Sequence, residues 1–163
     1  MAFTIDGTNG LTFNNATTQA SGSKVLQVVN ATYSTSTSTT STTYVTTNLT
    51  ASITPLFSTS KILILVSMPY YNPATVAGAG MEITLFRGTV SGTNLGQATY
   101  GFGALNAASS ALYNATTITY QDSPATTSAT TYTVGFRTEN VGNSVTICAL
   151  SAPASITLLE IAP

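Results

Sequence analysis

Histidine and tryptophan are absent from this chain of 163 residues, and cysteine occurs once, at Cys148. Without histidine the chain cannot build a Ser-His-Asp or Cys-His nucleophile, a histidine-based zinc site or the commonest general base. A single cysteine excludes an intrachain disulfide, which is compatible with a reducing compartment. The sequence therefore predicts no catalytic residues, no bound metal and no cofactor.

Charged side chains are scarce as well. They make up 6% of the chain, with four basic residues and a net charge of -1. Nucleic acid and anionic lipid each require several basic groups side by side, so the sequence argues against both partners. The longest apolar run, ILILV at 62–66, is far shorter than a membrane span of about 20 residues. The first ten residues lack the basic leader and apolar stretch of a secretory signal, which predicts synthesis in a cytoplasm without a signal peptide.

Five carboxylates remain as candidates for acid–base chemistry. A pair of them could hydrolyse glycosides if the two groups met at about 5–9 Å. Asp6, Asp122 and Glu139 fall in turn-like segments, where aspartate caps its own backbone. Glu82 and Glu160 each fall alone near a strand end. An enzyme, such as a glycan depolymerase, is therefore the least favoured class of function.

Alternation of apolar and polar residues predicts β-strands along most of the chain. Residues 44–53 and 131–137 each place their large apolar side chains on one parity and hydroxyls on the other. Residues 61–68, KILILVSM, are apolar on both parities, which predicts a central strand covered on both faces by its partner sheet or by another subunit. Weaker patterns of the same kind occupy 24–33, 81–88, 96–103, 114–120, 144–150 and 155–161.

Glycine, proline and asparagine fall between these runs, as in the segment 69–80. Short strands separated by such turns are typical of an antiparallel sandwich or barrel. A hydrophobic fraction of 43% fits one domain with a substantial core. Nine or ten strands favour a jelly roll over a seven-stranded immunoglobulin-like fold. The predicted fold is an all-β, antiparallel, two-sheet jelly-roll sandwich.

Three local features have competing interpretations. STSTSTTSTT at 34–43 could be a flexible linker, but β-branched threonine suits extended backbone, which favours a polar strand edge or a loop between two strands of one sheet. Cys148 alternates with Val145 and Ile147, which predicts a buried, inert thiol. DGTNG at 6–10 offers a single carboxylate, so a plain glycine turn is favoured over a calcium loop.

The N-terminal stretch IDGTNGLTFNNATTQ (5–19) resembles a segment found near the start of tail-fibre, collar and other virion appendage proteins of tailed bacteriophages. That segment reads Asp/Asn-Gly-Thr-Asn-Gly-apolar-Thr-Phe and is followed by Thr-Thr-Gln. The segments 24–55, 60–68, 119–140 and 155–162 are similar, in the same order, to a family of phage β-domains. The resemblance covers most of the chain and contains no catalytic signature.

What the resemblance implies is a virion-surface protein with a trimeric jelly roll of the tumour-necrosis-factor-like kind. Residues 1–22 would then form a virion-attachment segment and residues 23–163 the jelly-roll domain. The residues expected to bind a capsid or tail protein are Asp6, Gly7, Asn9, Gly10, Leu11 and Phe13. A small chain with little charge and a strand that is apolar on both parities independently favours packing against copies of itself as a homotrimer.

Two non-enzymatic functions fit these expectations. One is capsid-surface decoration or a short head fibre, and the other is a tail-fibre module that recognises host-surface glycan. Aromatic residues that could stack on sugars are Tyr70, Tyr71, Tyr100, Phe102 and Tyr113, although core packing explains each of them equally well. Because 163 residues leave no room for a fibre shaft, decoration is the preferred interpretation.

Overall fold

A computed structural model describes residues 24–73, 79–107 and 111–163, and the backbone of three short segments nearer the N-terminus, 4–6, 10–12 and 18–19. Apart from one short 3-10 turn at Ala149–Ser151, the regular structure of these residues is β. In chain order the strands are β1 (Thr4–Asp6), β2 (Gly10–Thr12), β3 (Thr18–Gln19), β4 (Val25–Tyr33), β5 (Thr37–Thr39), β6 (Val45–Ile53), β7 (Lys61–Asn72), β8 (Ala79–Arg87), β9 (Thr93–Asn94), β10 (Gly103–Ala107), β11 (Leu112–Asp122), β12 (Thr130–Thr138), β13 (Val145–Ile147) and β14 (Ala154–Ile161).

Two antiparallel sheets form a sandwich. The six-stranded sheet runs β4-β14-β7, with β11 on the other edge of β7 and with β13 and β5 continuing beside the last part of β7. The five-stranded sheet runs β6-β12-β8-β10, with β9 paired to β8. Numbered along the chain, the eight long strands lie in the orders 1-8-3-6 and 2-7-4-5, and only β8 and β10 are consecutive neighbours in one sheet. This connectivity is that of a jelly roll, and the predicted all-β sandwich is confirmed.

The two inner faces form one apolar layer. Strand β6 buries Leu49, Ala51 and Ile53 while its alternate residues remain exposed, and β12 buries Tyr132, Val134 and Phe136 on the predicted parity. Strand β7 contributes every second side chain to the same layer. The inward residues of β7 are Ile62, Ile64, Val66, Met68, Tyr70 and Asn72. The period of two read from the sequence therefore identifies the core correctly.

Strand β7 is central, as predicted, but its own chain covers it on one face only, and coverage of the other face by another subunit stays a prediction. Its outward residues include Leu65, which is 40% exposed. The strand buried on both faces is instead β8, where every residue from Ala79 to Phe86 is buried. The segment 88–102 folds over its outer side, with the N–H of Leu95 donating to Leu85 and the hydroxyl of Thr84 to Asn94. Coverage by a local loop leaves no periodic signal in the sequence, so the burial of β8 on both faces was not predicted.

The strand predicted at 96–103 is wrong. Residues 97–101 form a tight turn, and the next strand, β10, begins only at Gly103. Gly101 has φ +62°, and a Cβ there would come 2.4 Å from the carbonyl oxygen of Ile83. The close approach to β8 therefore requires glycine, and the turn cannot extend as a strand. The turn predicted at 69–80 also begins late, because β7 continues to Asn72.

The threonine-rich segment 34–43 is ordered rather than a linker. Its centre is β5, which pairs with β13 at the end of the six-stranded sheet, so the polar strand edge is confirmed. Hydroxyls order the turn that follows, where Thr39 accepts from the N–H of Ser41 and Ser41 accepts from the N–H of Thr43. The prediction that this segment connects two strands of one sheet is wrong, because β4 and β6, the long strands on either side of it, lie in different sheets.

Pro69 interrupts the strand beside β7. Its carbonyl accepts from the N–H of Cys148, 2.9 Å away, so its nitrogen faces the same edge of the strand. Proline has no N–H to give, and a continuous partner strand there would contain an unpaired carbonyl. The neighbouring chain therefore leaves the sheet after Ile147 and returns at Ala154, which ends the strand predicted at 144–150 early. Cys148 is buried, as predicted.

The N-terminal strands form a separate three-stranded antiparallel sheet in the order β1-β2-β3. Asp6 lies opposite Gly10, and Ile5 lies opposite Leu11, so β1 and β2 are antiparallel neighbours. Of the residues predicted to attach the chain to a virion, Gly7, Asn9 and Phe13 lie outside the described residues. The boundary between residues 22 and 23 stays a prediction.

A buried ion pair joins the two sheets at one edge. Asp122, the last residue of β11, accepts two hydrogen bonds from the guanidinium of Arg87 on β8, at 2.5 and 2.8 Å. The hydroxyl of Tyr132 on β12 donates to the same carboxylate at 2.7 Å. Burial alone would raise the pKa of Asp122, but the bonds from Arg87 and Tyr132 outweigh it and hold this pKa below its usual range. Asp122 lies at the start of the predicted turn and also accepts from the backbone of Ser123, but its partners Arg87 and Tyr132 were not predicted.

We expect Asp122→Asn to lower the free energy of unfolding at pH 7 by about 2–3 kcal/mol, because a buried ion pair loses one partner while Arg87 keeps some access to water. A carboxylate with a lowered pKa stabilises the fold above its unfolded pKa of about 3.9 and loses that contribution as the pH falls toward the folded value. The gap between wild type and variant should therefore shrink from pH 5 to pH 2 in urea unfolding.

The matched control is Glu139→Gln, which removes an exposed carboxylate. Its unfolding curves should follow those of the wild type throughout the pH range. An Asp122→Asn variant as stable as the wild type at pH 7 would contradict the role given to this ion pair.

Candidate functional site

The outer face of the six-stranded sheet is the most extensive candidate surface. Strand register places its outward residues in rows that cross β4, β14, β7 and β11. The first row is apolar along three strands, with Val28 beside Leu159 and Leu159 beside Leu63. Val28 is 58% exposed. An apolar row across the centre of an exposed sheet face is typical of a contact surface.

The next two rows are mostly hydroxyls. They comprise Asn30, Thr157, Leu65 and Thr119 in one row, and Thr32, Ser155, Ser67 and Thr117 in the other. Six of these side chains surround a shallow depression of about 380 Å³, which we call the socket. The socket residues are Leu65, Ser67, Thr117, Thr119, Ser155 and Thr157. The socket therefore combines one exposed leucine with short polar side chains.

Two of the predicted aromatic residues meet at the far end of this face. Tyr71 on β7 lies directly opposite Tyr113 on β11, and their rings stack with centroids 4.3 Å apart. Tyr113 is 60% exposed. Thr146 lies across from Tyr71 on the other side, and its hydroxyl is 2.8 Å from that of Ser38. The end of the face is therefore a pair of tyrosine rings bordered by hydroxyls.

The other three aromatic residues do not join this pair. Tyr70 points into the core and is 2% exposed, so its ring offers no face to a ligand, and its assignment as a contact residue is corrected. Phe102 packs edge-on against Tyr120 at the rim of the core. Tyr100 is 51% exposed, but it lies in the turn that covers the five-stranded sheet. Adjacent residues such as Tyr70 and Tyr71 face opposite sides of a strand, and a run that is apolar on both parities does not show which side is the core.

The outer face of the six-stranded sheet is nearly uncharged. Among the outward residues of the four crossing strands, the charged side chain is Lys61, whose Nζ donates to the hydroxyl of Ser123 at 2.7 Å. Copies of such a face can approach one another without like-charge repulsion.

A second, smaller depression of about 360 Å³ lies on the outer face of the five-stranded sheet. Its lining comprises Thr46, Asn48, Thr50, Thr89, Val90, Thr131 and Thr133. Asn48 has φ +64° at a bulge in β6, and its side-chain nitrogen lies 3.3 Å from the hydroxyl of Tyr33. Thr50 donates to the carbonyl of Tyr132 at 3.0 Å. These contacts account for the bulge as a local structural feature.

Arg137 organises the loops above β8. Its guanidinium donates to Glu82 on the adjacent strand and to the carbonyls of Thr42 and Thr99. The guanidinium also lies over the ring of Tyr44, 4.6 Å from the centroid. Burial, reinforced by the charge of Glu82, raises the pKa of Tyr44 to about 12. The sequence did not predict that Glu82 has a basic partner.

The third buried carboxylate, Glu160, stabilises a turn. It accepts from the N–H of Leu56 at 2.7 Å and from the side chain of Gln27 at 2.6 Å. Burial opposes its ionisation, but these hydrogen bonds prevail and lower the pKa of Glu160. As for Glu82, these partners were not predicted from the sequence. Partners distant in sequence leave no local pattern, so sequence reasoning missed all three buried carboxylate sites.

Within the described residues, no three acidic or cysteine side chains lie close enough together to hold a metal ion. Over the same residues, no helix has the length and apolar character needed to cross a membrane.

Comparisons with known proteins add a distant likeness. No protein-family model and no curated protein matches the chain. Among solved structures, the chain is similar to a mutant VP2 protein of infectious bursal disease virus in derived T=1 particles. The two share 12% sequence identity with a TM-score of 0.43, and the alignment covers 98% of this chain and 44% of the VP2 chain. The Gx strain structure of the same virus gives 15% identity, a TM-score of 0.43 and coverages of 99% and 42%. The chain thus spans less than half of the length of either, and the jelly-roll assignment rests on the strand order.

We expect Arg137→Lys to lower the free energy of unfolding by about 1–2 kcal/mol, because lysine cannot replace the forked bonds to Glu82, Thr42 and Thr99. Hydrogen exchange at residues 97–102 should become faster. Lys61→Arg, a basic exchange on the other sheet, is the matched control and should leave exchange at 97–102 unchanged. Unaltered exchange in Arg137→Lys would contradict the organising role of this side chain.

Proposed function

We propose that the protein is a non-enzymatic structural module of a bacteriophage virion, which assembles as a homotrimer through the outer face of the six-stranded sheet. The observation that carries the proposal is the nearly uncharged face containing Val28, Leu63, Leu65 and Leu159 at the surface of a jelly roll. The buried carboxylates each stabilise the fold, which supports a binding role over an enzymatic one.

The size of the face is suited to assembly. The four strands lie about 4.8 Å apart, and each is about nine residues long with a rise of roughly 3.3 Å per residue. Together they form a surface of roughly 19 Å by 30 Å. Corrugation and flanking loops bring its accessible area toward the roughly 800 Å² per partner of a stable interface. Each aliphatic side chain that leaves water on assembly contributes up to about 1.5–3 kcal/mol.

The virion context rests on the resemblance of residues 5–19 to the N-terminal segments of phage appendage proteins. We assign residues 1–22 to virion attachment, with the paired strands β1 and β2 as its structural element. Capsid decoration or a short head fibre is the preferred role. Location on the virion surface and cytoplasmic synthesis belong to the same proposal.

A specific observation favours glycan recognition as the second candidate. Tyr71 and Tyr113 form an exposed stacked pair beside the hydroxyls of Ser38 and Thr146, an arrangement that suits the apolar face of a sugar ring. A tail-fibre location would accompany this function.

We expect the wild type to be a trimer at micromolar concentration, measured by light scattering after size exclusion. The double variant Val28→Lys, Leu65→Lys should be a folded monomer, because three copies of the face would bring six buried charges together. Ser52→Lys, on the outer face of the other sheet, is the control and should remain trimeric. A monomeric wild type would contradict the assembly proposal.

Deletion of residues 1–22 should abolish incorporation into phage particles while the remaining chain still forms the trimer. Incorporation is measured by immunoblot of purified particles, and assembly by light scattering. Persistent incorporation would refute the attachment role. Labelled wild-type protein that bound host cells and left capsids bare would overturn decoration in favour of the glycan-binding candidate.

A further inference from the structure

We propose that Leu150 is the specificity-determining contact of the assembly, inserting into the socket of a neighbouring copy of the chain. This inference rests on the proposed self-association and names the two patches that meet. The Leu150 loop comprises residues 148–153, between β13 and β14.

The Leu150 loop holds an apolar side chain in water at a conformational cost. Leu150 is 87% exposed. Cys148, Leu150 and Ser151 have φ of 51°, 57° and 61°, which places three non-glycine residues of one short loop in the left-handed region. Each such residue costs about 1 kcal/mol or more relative to ordinary backbone. Pro69 accounts for the excursion of the chain out of the sheet, but it does not account for a leucine at this strained and exposed position.

The loop is nevertheless firmly anchored. The N–H of Cys148 donates to Pro69, and those of Ser151 and Ala152 donate to Cys148 and Ala149 at 3.0 and 3.2 Å. Cys148 and Ala154, at its two ends, are buried in the core. Leu150 is thus presented on a defined turn, which limits the entropy lost when it is buried by a partner.

The loop projects from the outer face of the six-stranded sheet. Strands β13 and β14 both pair with the same edge of β7, so the chain between them leaves from within the sheet. The inner side is occupied by the packed core, and the residues of the loop after Cys148 are not buried. We therefore place Leu150 on the side of the sheet that holds the socket, of which Ser155 is the nearest residue along the chain.

The socket suits a leucine side chain. Its volume of about 380 Å³ exceeds that of one aliphatic side chain, and Leu65 at its centre is 40% exposed. The occupant is a second copy because the surrounding face is nearly uncharged and of the area that a stable interface requires. The Leu150 loop and the socket are different patches, so each copy can give its loop to the socket of the next copy, and this contact can close into a ring of three.

Substitutions at Leu150 test the inference by moving folding stability and assembly in opposite directions. Leu150→Gly should raise the melting temperature of the dissociated chain, since glycine accepts φ 57° without strain. It should also weaken assembly by about tenfold in dissociation constant, as Leu150→Ser should, because the buried leucine contact is lost. Val141→Ser is the matched control, an aliphatic residue 85% exposed in another loop, and should leave assembly unchanged.

Cross-linking identifies the partner patch. In a Cys148→Ala background, Leu150→Cys and Thr117→Cys chains are mixed and treated with a short bismaleimide. The expected product is a linked pair of the two variants, absent when Ser52→Cys replaces Thr117→Cys. If Cys148→Ala does not fold, the buried native thiol is retained and the same comparison is made.

The outcomes separate this inference from the proposal on which it rests. A monomeric wild type overturns both. The role of Leu150 alone is overturned by a different set of results. In that case the wild type is a trimer and Val28→Lys, Leu65→Lys disrupts it, but Leu150→Ser assembles with wild-type affinity and no cross-link to Thr117→Cys forms. The assembly proposal then stands.

Discussion

The apolar layer between the two sheets is the constraint on which the rest of the molecule depends. Every long strand of the sandwich must direct one parity into it, so the opposite parity is assigned to an outer face. For β7 this leaves Leu63, Leu65 and Tyr71 facing outward because Ile62, Ile64 and Tyr70 face inward. The candidate interaction face is thus a consequence of the same register that forms the core.

One proline modifies this regular plan. Pro69 has no N–H for the neighbouring strand, so the chain beside it divides into β13 and β14, and the intervening residues leave the sheet. The excursion is the Leu150 loop. A missing hydrogen-bond donor in the central strand is therefore the physical origin of the most exposed strained feature on the proposed contact face.

The few charges of the chain are used mainly to hold it together. Asp122 with Arg87 joins the sheets, Glu82 with Arg137 ties loops over β8, and Glu160 supports the turn at 56–57. Because these charged residues lie elsewhere, the outer face of the six-stranded sheet consists mainly of aliphatic residues and hydroxyls. Contacts made by this face must depend on shape and desolvation, since charge supplies almost nothing there.

The sequence by itself determined the fold class, most strands of the sandwich and the buried parity of β6 and β12, because period-two alternation is a local property of the chain. It also predicted the buried thiol of Cys148 and the strand edge within 34–43. Tertiary structure alone decided which strand is covered on both faces, that 97–101 is a turn, that Tyr71 meets Tyr113 while Tyr70 is buried, and which partners the carboxylates have. Those outcomes depend on segments far apart in the chain, such as the loop 88–102 over β8 and Arg87 beside Asp122, whose approach is a product of packing and leaves no pattern in either segment.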